Sequence, residues 1–263
     1  MEPATAHCES GLLVARHHGS EGCASVFRSR ARASAARDLK GRRVLDVGCG
    51  LCGPAAILAA DYGATVECIN INEQQVEWAS RFITGNAIED RVHVQVASAM
   101  DIPFRDEFDV VFCLESAHCY ADKMRFLSGA YDALRPGWIL ILSDITGTSH
   151  FAPFTYQPAL KLNLITTKDW RDMIRGGGFS IETCESVASG VYPGYRRWLR
   201  RSAADRRATI FKKVCLSEAH FPTRQLKLLQ AWILEFALCR SVLPLLSLLR
   251  LRDYVLIVAR KQA

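Results

Sequence analysis

The sequence predicts an α/β protein with a Rossmann-like, mostly parallel, seven-stranded sheet, helices on both faces and a helical lid inserted before the last strand. Three observations predict this fold. Short apolar runs alternate with segments of helical periodicity, which is the pattern of successive βαβ units. A glycine-rich turn follows the first apolar run and opens the first helix. Residues 188–252 have helical character throughout and separate the last two strands.

The predicted elements begin at residue 43, where the alternation starts. Strands are expected at 44–47, 65–70, 91–96, 108–114, 138–144, 179–187 and 254–260. Helices are expected at 54–62, 73–82, 123–134 and 168–175. Pro54 suits the first turn of a helix, and Pro136-Gly137 ends the third helix. The chain therefore divides into an N-terminal helical cap (1–38), a cofactor-binding Rossmann-like domain (39–187), the helical lid (188–252) and the last strand of the sheet (253–263).

The composition supports one sizeable hydrophobic core. Of the 263 residues, 49% are apolar, which excludes a disordered, collagen-like or small disulfide-rich protein. The ten cysteines are scattered and several lie inside apolar runs, so we expect reduced thiols in a cytoplasmic protein. The most apolar stretch, residues 226–251, is interrupted by charged side chains and is not expected to span a membrane.

The net charge of +6 comes from one segment of the predicted lid. Residues 192–213 contain eight Lys or Arg and one Asp, so the rest of the chain is close to neutral. On a helix over residues 196–203, four arginines share one face opposite Trp198. Three interpretations stay open: a solvated face, a site for an acidic group on a substrate, and a contact with an anionic membrane surface. Nucleic acid is not an expected partner, because no recognised binding module accompanies the arginines.

The glycine-rich turn has the spacing G-x-G-x-x-G over Gly48 to Gly53. Glycines let the backbone turn tightly and approach an anionic cofactor, and the N-terminus of the following helix offers N–H groups to it. A nicotinamide enzyme would have an acidic residue at the end of the second strand, where this chain has Asn70. Cys49 and Cys52 form C-x-x-C, but no second cysteine pair has ligand spacing, so no metal site is expected.

Several motifs together resemble the small-molecule class I S-adenosylmethionine-dependent methyltransferases. The resemblance begins at 44–50 (VLDVGCG), 53–55 (GPA) and 70–72 (NIN). It continues at 99–104 (AMDIPF), 108–109 (FD), 115–118 (ESAH), 134–137 (LRPG) and 254–261. The pattern looks most like the branch that contains sterol, tocopherol, glycine-betaine, sugar and macrolide methyltransferases. It covers about residues 40–187 and the last strand.

The resemblance implies S-adenosylmethionine as the cofactor and a set of residues that contact it. The glycine loop would hold the methionine end, Asn70 and Gln75 would flank the ribose, and Met100 would lie against the adenine. Ser98 occupies the position where the family usually has an Asp for the adenine amino group. The complete implied set is Asp46, Gly48, Cys49, Gly50, Asn70, Ile71, Gln75, Ser98, Ala99 and Met100.

Of the candidate catalytic residues, His118 lies just after the fourth predicted strand and Asp144 ends the fifth, at the sheet edge that also carries the glycine turn. His118 with Asp144 would form a general base near neutral pH, as the matching pair does in the resembled sugar and macrolide enzymes. The alternatives are a merely buried or capping imidazole for His118 and an N-cap for Asp144. Glu115 is expected to orient the cofactor or His118. Candidate substrate contacts are His18, Tyr192, Tyr195 and Trp198.

These observations predict a methyltransferase acting on the oxygen or nitrogen of a small hydrophobic metabolite of the terpenoid or polyketide type, with His118 as base. The hydrophobic substrate is inferred from residues 226–240, which are apolar on two sides of the predicted helix. Such a helix suits a lid over a hydrophobic pocket or a contact between two copies of the chain. Peripheral membrane contact through residues 192–251 and a homo-oligomer both stay open. The alternative function is methylation at an alkene or prenyl carbon with carbocation cyclisation, or a cyclase that binds the cofactor without methyl transfer.

Overall fold

The computed structural model describes residues 39–147, 156–157, 162–191 and 252–262. The predicted N-terminal cap, nearly all of the predicted lid and its basic segment lie outside the described residues, as do His18, Tyr192, Tyr195 and Trp198. The division of the chain into four segments remains a prediction. No helix of the described ranges is long and apolar enough to cross a membrane.

Nine strands and four α-helices make up the described part of the chain. The strands are β1 (Arg43–Val47), β2 (Thr65–Asn70), β3 (Val92–Val96), β4 (Phe108–Leu114), β5 (Leu134–Gly147), β6 (Tyr156–Gln157), β7 (Leu162–Asn163), β8 (Phe179–Ser186) and β9 (Arg252–Lys261). The helices are α1 (Gly53–Tyr62), α2 (Glu73–Gly85), α3 (Lys123–Ala133) and α4 (Thr167–Gly176), with a 3-10 helix at Ala117–Cys119. The seven predicted strands and four predicted helices are all present.

Seven of the strands form one sheet in the order β3-β2-β1-β4-β5-β9-β8. β1 to β5 run parallel to one another, and β9 runs antiparallel to both of its neighbours. This confirms the predicted seven-stranded, mostly parallel sheet. The last strand of the chain lies inside the sheet, between β5 and β8, a position that the local sequence pattern did not predict. β6 and β7 form a separate antiparallel pair.

The core has one layer on each face of the sheet, because successive side chains of a strand point to opposite faces. On one face, Leu58 of α1 and Ile83 of α2 pack against Val44. On the other face, Phe126 of α3 and Trp170 of α4 pack with Leu45. Helices therefore cover both faces, as predicted.

The capping interactions explain where the helices begin. Asn72 caps α2 by accepting a hydrogen bond from the backbone N–H of Gln75, and Asp122 caps α3 in the same way. Thr166 and Asp169 form a reciprocal capping box at the start of α4. α1 begins differently: Cys52 is its N-cap and makes no side-chain capping bond.

The largest correction to the predicted elements concerns β5. It was expected at 138–144 after a helix ending at Leu134, but the helix ends at Ala133 and the strand runs from Leu134 to Gly147. At its start Leu134 pairs with Phe108, and the register shifts before Ile139. At its end the strand is extended by pairing with β9, which reaches Gly147 opposite Arg252. Asp144 is therefore neither the last residue of the strand nor an N-cap.

Candidate active site

A cavity of about 510 Å³ opens at the carboxyl ends of β1, β2 and β4, where ligands bind in sheets of this kind. Nine of the residues predicted for the cofactor or for catalysis line it, and they come from four separate parts of the chain. They are Gly48, Gly50, Asn70, Ile71, Gln75, Ser98, Ala99, Met100 and Glu115. The lining is completed by Ile69, Ala97, Ser116, Cys119 and Tyr120.

The glycine loop between β1 and α1 needs its glycines for two different reasons. Gly48 has φ +77° and Gly50 has φ +57°, in the left-handed region that other residues disfavour. A Cβ on Gly48 would lie 2.5 Å from Cβ of Ser116 and 2.8 Å from the hydroxyl of Tyr120. A Cβ on Gly50 would meet nothing within 4 Å. Gly48 is therefore required by close packing and by backbone conformation, and Gly50 by backbone conformation alone.

A hydrogen-bonded group behind the loop holds it against β4. Ser116 Oγ donates to the carbonyl oxygen of Val47 at 2.9 Å and lies 2.9 Å from the hydroxyl of Tyr120. Tyr120 also donates to the Val47 carbonyl at 3.2 Å, and Cys113 Sγ lies 3.2 Å from Ser116 Oγ. The sequence analysis did not identify Ser116 or Tyr120 as site residues. The ESAH motif contained the only sequence signal, since it placed Ser116 directly after β4.

Asn70 connects the glycine loop to α2. Its Nδ2 donates to Oε1 of Gln75 at 2.8 Å and to the carbonyl oxygen of Gly50 at 3.4 Å. Its Oδ1 accepts from the backbone N–H of Asn72 at 3.3 Å. Asn70 is buried, so these bonds fix the shape of the cavity wall. The predicted contact of Asn70 with a ribose stays a prediction, and the structure adds this positioning role.

Apolar side chains form the opposite walls of the cavity. Ile71 is 68% exposed although it is a large apolar residue at the end of β2, so its surface is open to a flat apolar group. Ala99 and Met100 also line the cavity. Ser98 Oγ accepts a hydrogen bond from the backbone N–H of Met100 at 3.2 Å, which shapes the turn before Asp101.

Two of the predicted cofactor residues lie beneath the cavity. Asp46 and Cys49 are buried and do not contribute to the lining. Oδ2 of Asp46 has no hydrogen-bond partner among the described residues. Burial raises the pKa of Asp46 well above its usual value, and the neighbouring Cys49 acts in the same direction. Direct contact of either side chain with a cofactor remains a prediction.

His118 and Asp144 meet beside the cavity, as predicted. His118 belongs to the 3-10 helix that follows β4, and Asp144 lies within the neighbouring strand β5. His118 Nδ1 lies 2.7 Å from Asp144 Oδ1, and the backbone N–H of His118 donates to Asp144 Oδ2 at 2.7 Å. The backbone N–H of Ile145 also donates to Oδ1 at 2.7 Å. Asp144 is completely buried, so both of its oxygens are held in fixed positions.

The surroundings of His118 favour its protonated form. Burial of the ring lowers the pKa of His118, whereas its hydrogen bond with Asp144 and the charges of Asp144 and Glu115 raise it. The net result is a pKa above the usual value of 6.5. The neutral ring donates Nδ1–H to Asp144, which leaves the Nε2 lone pair as the proton acceptor.

Glu115 and Lys123 place further charge near this pair. Glu115 has φ +52°, a strained value for a residue with a side chain, and its backbone N–H donates to the carbonyl oxygen of Ser143 at 2.9 Å. Lys123 is buried and donates to the carbonyl oxygen of Tyr120 at 3.0 Å. Burial lowers the pKa of Lys123 to about 8, although Asp144 acts in the opposite direction. The sequence analysis did not identify Lys123, because a lysine in the first turn of a helix is ordinarily exposed.

Residues 45–142 match the family model described as a methyltransferase domain. This part of the chain is therefore a methyltransferase domain, in agreement with the predicted resemblance to the class I S-adenosylmethionine-dependent methyltransferases. It is 32% identical over 160 residues to the O-methyltransferase cnsE of Penicillium expansum, which covers 59% of this chain and 58% of that one. It is 41% identical over 169 residues to the 27-O-demethylrifamycin SV methyltransferase of Amycolatopsis mediterranei, covering 61% and 62%. These alignments span less than two thirds of each relative.

The fold of the chain resembles that of a solved structure, the [4+2]-cyclase SpnF, with a TM-score of 0.66. The two chains are 21% identical, and the match covers 88% of this chain and 79% of that one. At that identity the likeness concerns the fold alone.

The cavity fits S-adenosylmethionine, the cofactor that the resemblance implies. The glycine loop presents backbone to the cavity because a Cβ at Gly48 has no room, and α1 begins behind it without a side-chain cap from the described residues. Backbone N–H groups at such a helix start suit the carboxylate of a methionine moiety. Ile71 and Met100 provide apolar surfaces for an adenine. The S-adenosylmethionine prediction is therefore confirmed by the family and agrees with the cavity.

Proposed function

We propose that this methyltransferase transfers the methyl group of S-adenosylmethionine to a hydroxyl oxygen of a small hydrophobic metabolite, with His118 as the general base. The observation that carries the proposal is the pair formed by His118 and Asp144. Neither side chain lines the cavity itself, but Ser116 and Cys119, on either side of His118 in the chain, do. An amine acceptor belongs to the same proposal as a second substrate class, since it also loses a proton.

In this proposal the residues have separate tasks. When bound, S-adenosylmethionine supplies an electrophilic methyl group with a good leaving group, so the protein contributes alignment and proton removal. Nε2 of His118 accepts the proton of the acceptor hydroxyl. Asp144 holds the imidazole by two hydrogen bonds, one to Nδ1 and one to the backbone N–H, and its charge stabilises the imidazolium. Glu115 adds negative charge near the ring and also lines the cavity.

Two observations support a hydrophobic hydroxyl compound as the acceptor. The relatives named above include enzymes whose names specify O-methylation, one of them of a rifamycin. The cavity lining also combines few charged groups with Ile69, Ile71 and Met100. Tyr192, Tyr195 and Trp198 remain candidate substrate contacts from the predicted lid, and His18 from the N-terminal segment. A cytoplasmic location, contact of residues 192–251 with a membrane, and a homo-oligomer remain proposals as well.

A labelling experiment tests the reaction. The protein is incubated with S-adenosylmethionine carrying a labelled methyl group and a panel of hydroxylated polyketides and terpenoids, each paired with its O-methylated form as a blocked control. We expect label in the hydroxyl compounds alone, recovered as a methyl ether by mass spectrometry and NMR. Label on a former alkene carbon would instead establish carbon methylation. Rearrangement of a substrate without label would establish a cyclase. Either result would overturn the proposal.

Binding of the cofactor is tested separately by calorimetry with S-adenosylhomocysteine. We expect one site per chain. Absence of heat at high micromolar protein and ligand would remove the basis of the proposed function, whatever the acceptor panel shows.

A further inference from the structure

Three cysteines from different parts of the chain meet beneath the glycine loop. Cys49 lies in the loop, Cys52 is the N-cap of α1, and Cys68 belongs to β2. Their Sγ atoms all lie within 4.8 Å of one another. All three side chains are buried, with exposed fractions of 6%, 0% and 0%. None of them lines the cofactor cavity.

The fold supplies the third sulfur that the sequence spacing lacked. Cys49 and Cys52 alone are a C-x-x-C pair, which is too few ligands for a closed metal site. Parallel pairing of β1 with β2 places Cys68 opposite Asp46 in register. Residues paired in this way point to the same face of the sheet. Here that face is the one covered by α1, so Cys68 and Asp46 both lie on the side of the loop cysteines.

Asp46 is the second, independent observation. It is 2% exposed, and its Oδ2 has no hydrogen-bond partner among the residues that the structure describes. A buried carboxylate oxygen without a partner is costly, by about 1–3 kcal/mol or more for a charged group. A cation bound at the neighbouring sulfurs would remove this cost.

We propose that Cys49, Cys52 and Cys68 bind a Zn²⁺ ion beneath the glycine loop, and that the carboxylate of Asp46 moves toward the sulfurs to complete the site. Zinc bonds to thiolate sulfur at about 2.3 Å, which places sulfurs of one tetrahedral site roughly 3.8 Å apart. The observed spacing of the three sulfurs needs only a small contraction to reach that geometry. The three sulfurs provide three of the four ligands that structural zinc sites use. The carboxylate oxygens of Asp46 lie outside the group of atoms within 4.8 Å of one another, so the fourth bond requires a movement of this side chain toward the sulfurs.

The chemistry of binding balances without any other reactant. Zn²⁺ forms three Zn–S bonds and one Zn–O bond, and any proton still held by the three thiols or by the carboxyl group of Asp46 is released to the solvent. The site then carries net negative charge, which the N-terminal end of α1 stabilises because Cys52 caps that helix. All four side chains are buried and none of the three cysteines lines the cofactor cavity, so we expect the ion to be structural rather than catalytic.

A bound ion would couple metal binding to cofactor binding, because both involve the glycine loop. Cys49 lies between Gly48 and Gly50, and Cys52 begins α1, so the ion would join the loop, the helix and β2 at one point. We expect bound zinc to raise the thermal stability of the domain and to hold the loop in the conformation seen here.

The test uses the full-length protein purified without chelator from zinc-supplemented cells. Elemental analysis by mass spectrometry is expected to find about one zinc per chain. The Cys68→Ser and Cys68→Ala variants are both expected to lose this zinc. The matched control Cys184→Ser changes a partly buried cysteine of β8 outside the cluster and is expected to retain it. Two replacements at Cys68 are included so that a folding defect in one variant leaves the other as the test.

Cobalt provides the spectroscopic measurement. Titration of the metal-free protein with Co²⁺ should produce the intense near-ultraviolet charge-transfer absorption of thiolate ligands and the visible bands of a tetrahedral site, both reversed by Zn²⁺. Asp46→Asn should retain the thiolate absorption and alter the visible bands. Purified protein with negligible zinc and no thiolate–cobalt absorption would overturn the proposal. Zinc retained by both Cys68 variants would also overturn it, because the metal would then lie elsewhere in the chain.

Discussion

The two halves of the cavity edge use different chemistry. On the side of β1 and β2, the glycine loop, Asn70 and Ile71 build the site from backbone, amide and apolar groups. On the side of β4 and β5, Glu115, His118, Asp144 and the nearby Lys123 bring four ionisable groups close together. The first half has the features that hold a cofactor by shape. The second has the features that move a proton.

This difference has a physical origin in the strands. β1 ends at a turn where Gly48 has no Cβ, and β2 ends at a turn where the side-chain amide of Asn72 caps α2. These two turns determine how closely a ligand can approach the backbone. β5 continues past the edge because β9 pairs with it, and this keeps Asp144 inside a strand, where it is buried and hydrogen-bonded on both oxygens. A buried, fixed carboxylate can tune a neighbouring imidazole in a way that an exposed one cannot. Substitutions on the two sides should therefore separate binding from catalysis.

The largest effect is expected from His118→Gln on the β4–β5 side. Loss of the base should reduce kcat for a hydroxyl acceptor by about 10²- to 10⁴-fold, while the affinity for S-adenosylhomocysteine stays unchanged. The matched control is His93→Gln, which changes an exposed histidine on β3. Steady-state kinetics and calorimetry measure the two quantities. Full activity in His118→Gln would show that His118 is not the base. It would also contradict the assignment of proton transfer to the β4–β5 side of the cavity.

The next largest effect is expected from Gly48→Ala on the β1–β2 side. The new Cβ would collide with Ser116 and Tyr120, and the φ of +77° adds strain, so we expect destabilisation of about 2–5 kcal/mol with weakened cofactor binding. Gly50→Ala, which has the strain without the collision, should cost only about 1–2 kcal/mol. Denaturant unfolding and calorimetry compare the two variants. Equal losses would show that close packing at Gly48 is not what the loop requires.

Asp144→Asn should produce a smaller effect that depends on pH. The base must be neutral to act, so activity rises as pH increases through the pKa of His118, which lies above its usual value. Removing the carboxylate charge leaves burial as the main influence and lowers that pKa. The acidic limb of the kcat/KM profile should therefore move to lower pH, while the plateau activity falls because the base is weaker and less well held. A limb that stays in place would indicate that another group titrates.

The smallest effect is expected from Gln75→Ala. It removes the acceptor of the 2.8 Å bond from Asn70 without touching the backbone of the loop. We expect S-adenosylhomocysteine to bind roughly 2- to 10-fold more weakly, which corresponds to about 0.5–1.5 kcal/mol. Gln74→Ala is the matched control, because the Gln74 side chain bonds to Glu77 on the exposed side of α2. If both variants bind alike, the link between Asn70 and Gln75 does not shape the cavity.

Much of this site was predictable because it depends on local patterns. The glycine turn, Asn70 at the end of β2 and the Ala99-Met100 pair were expected to line one cavity, and they do. The pairing of His118 with Asp144 followed from parallel strands that end at one edge. Ser116, Tyr120 and Lys123 were missed because their roles depend on what packs against them, and a single sequence does not contain that information.

The sequence by itself determined the order of strands and helices along the chain, the burial of both faces of the sheet and the position of the glycine turn. These features were predictable because hydrophobic periodicity and the conformational freedom of glycine act over a few residues. Tertiary structure alone decided three further features. β9 entered the sheet between β5 and β8, Asp144 became an interior strand residue, and Cys68 joined Cys49 and Cys52. Each of these features depends on contacts between segments far apart in the chain. Strand register and side-chain packing select those contacts, and a local sequence pattern does not specify them.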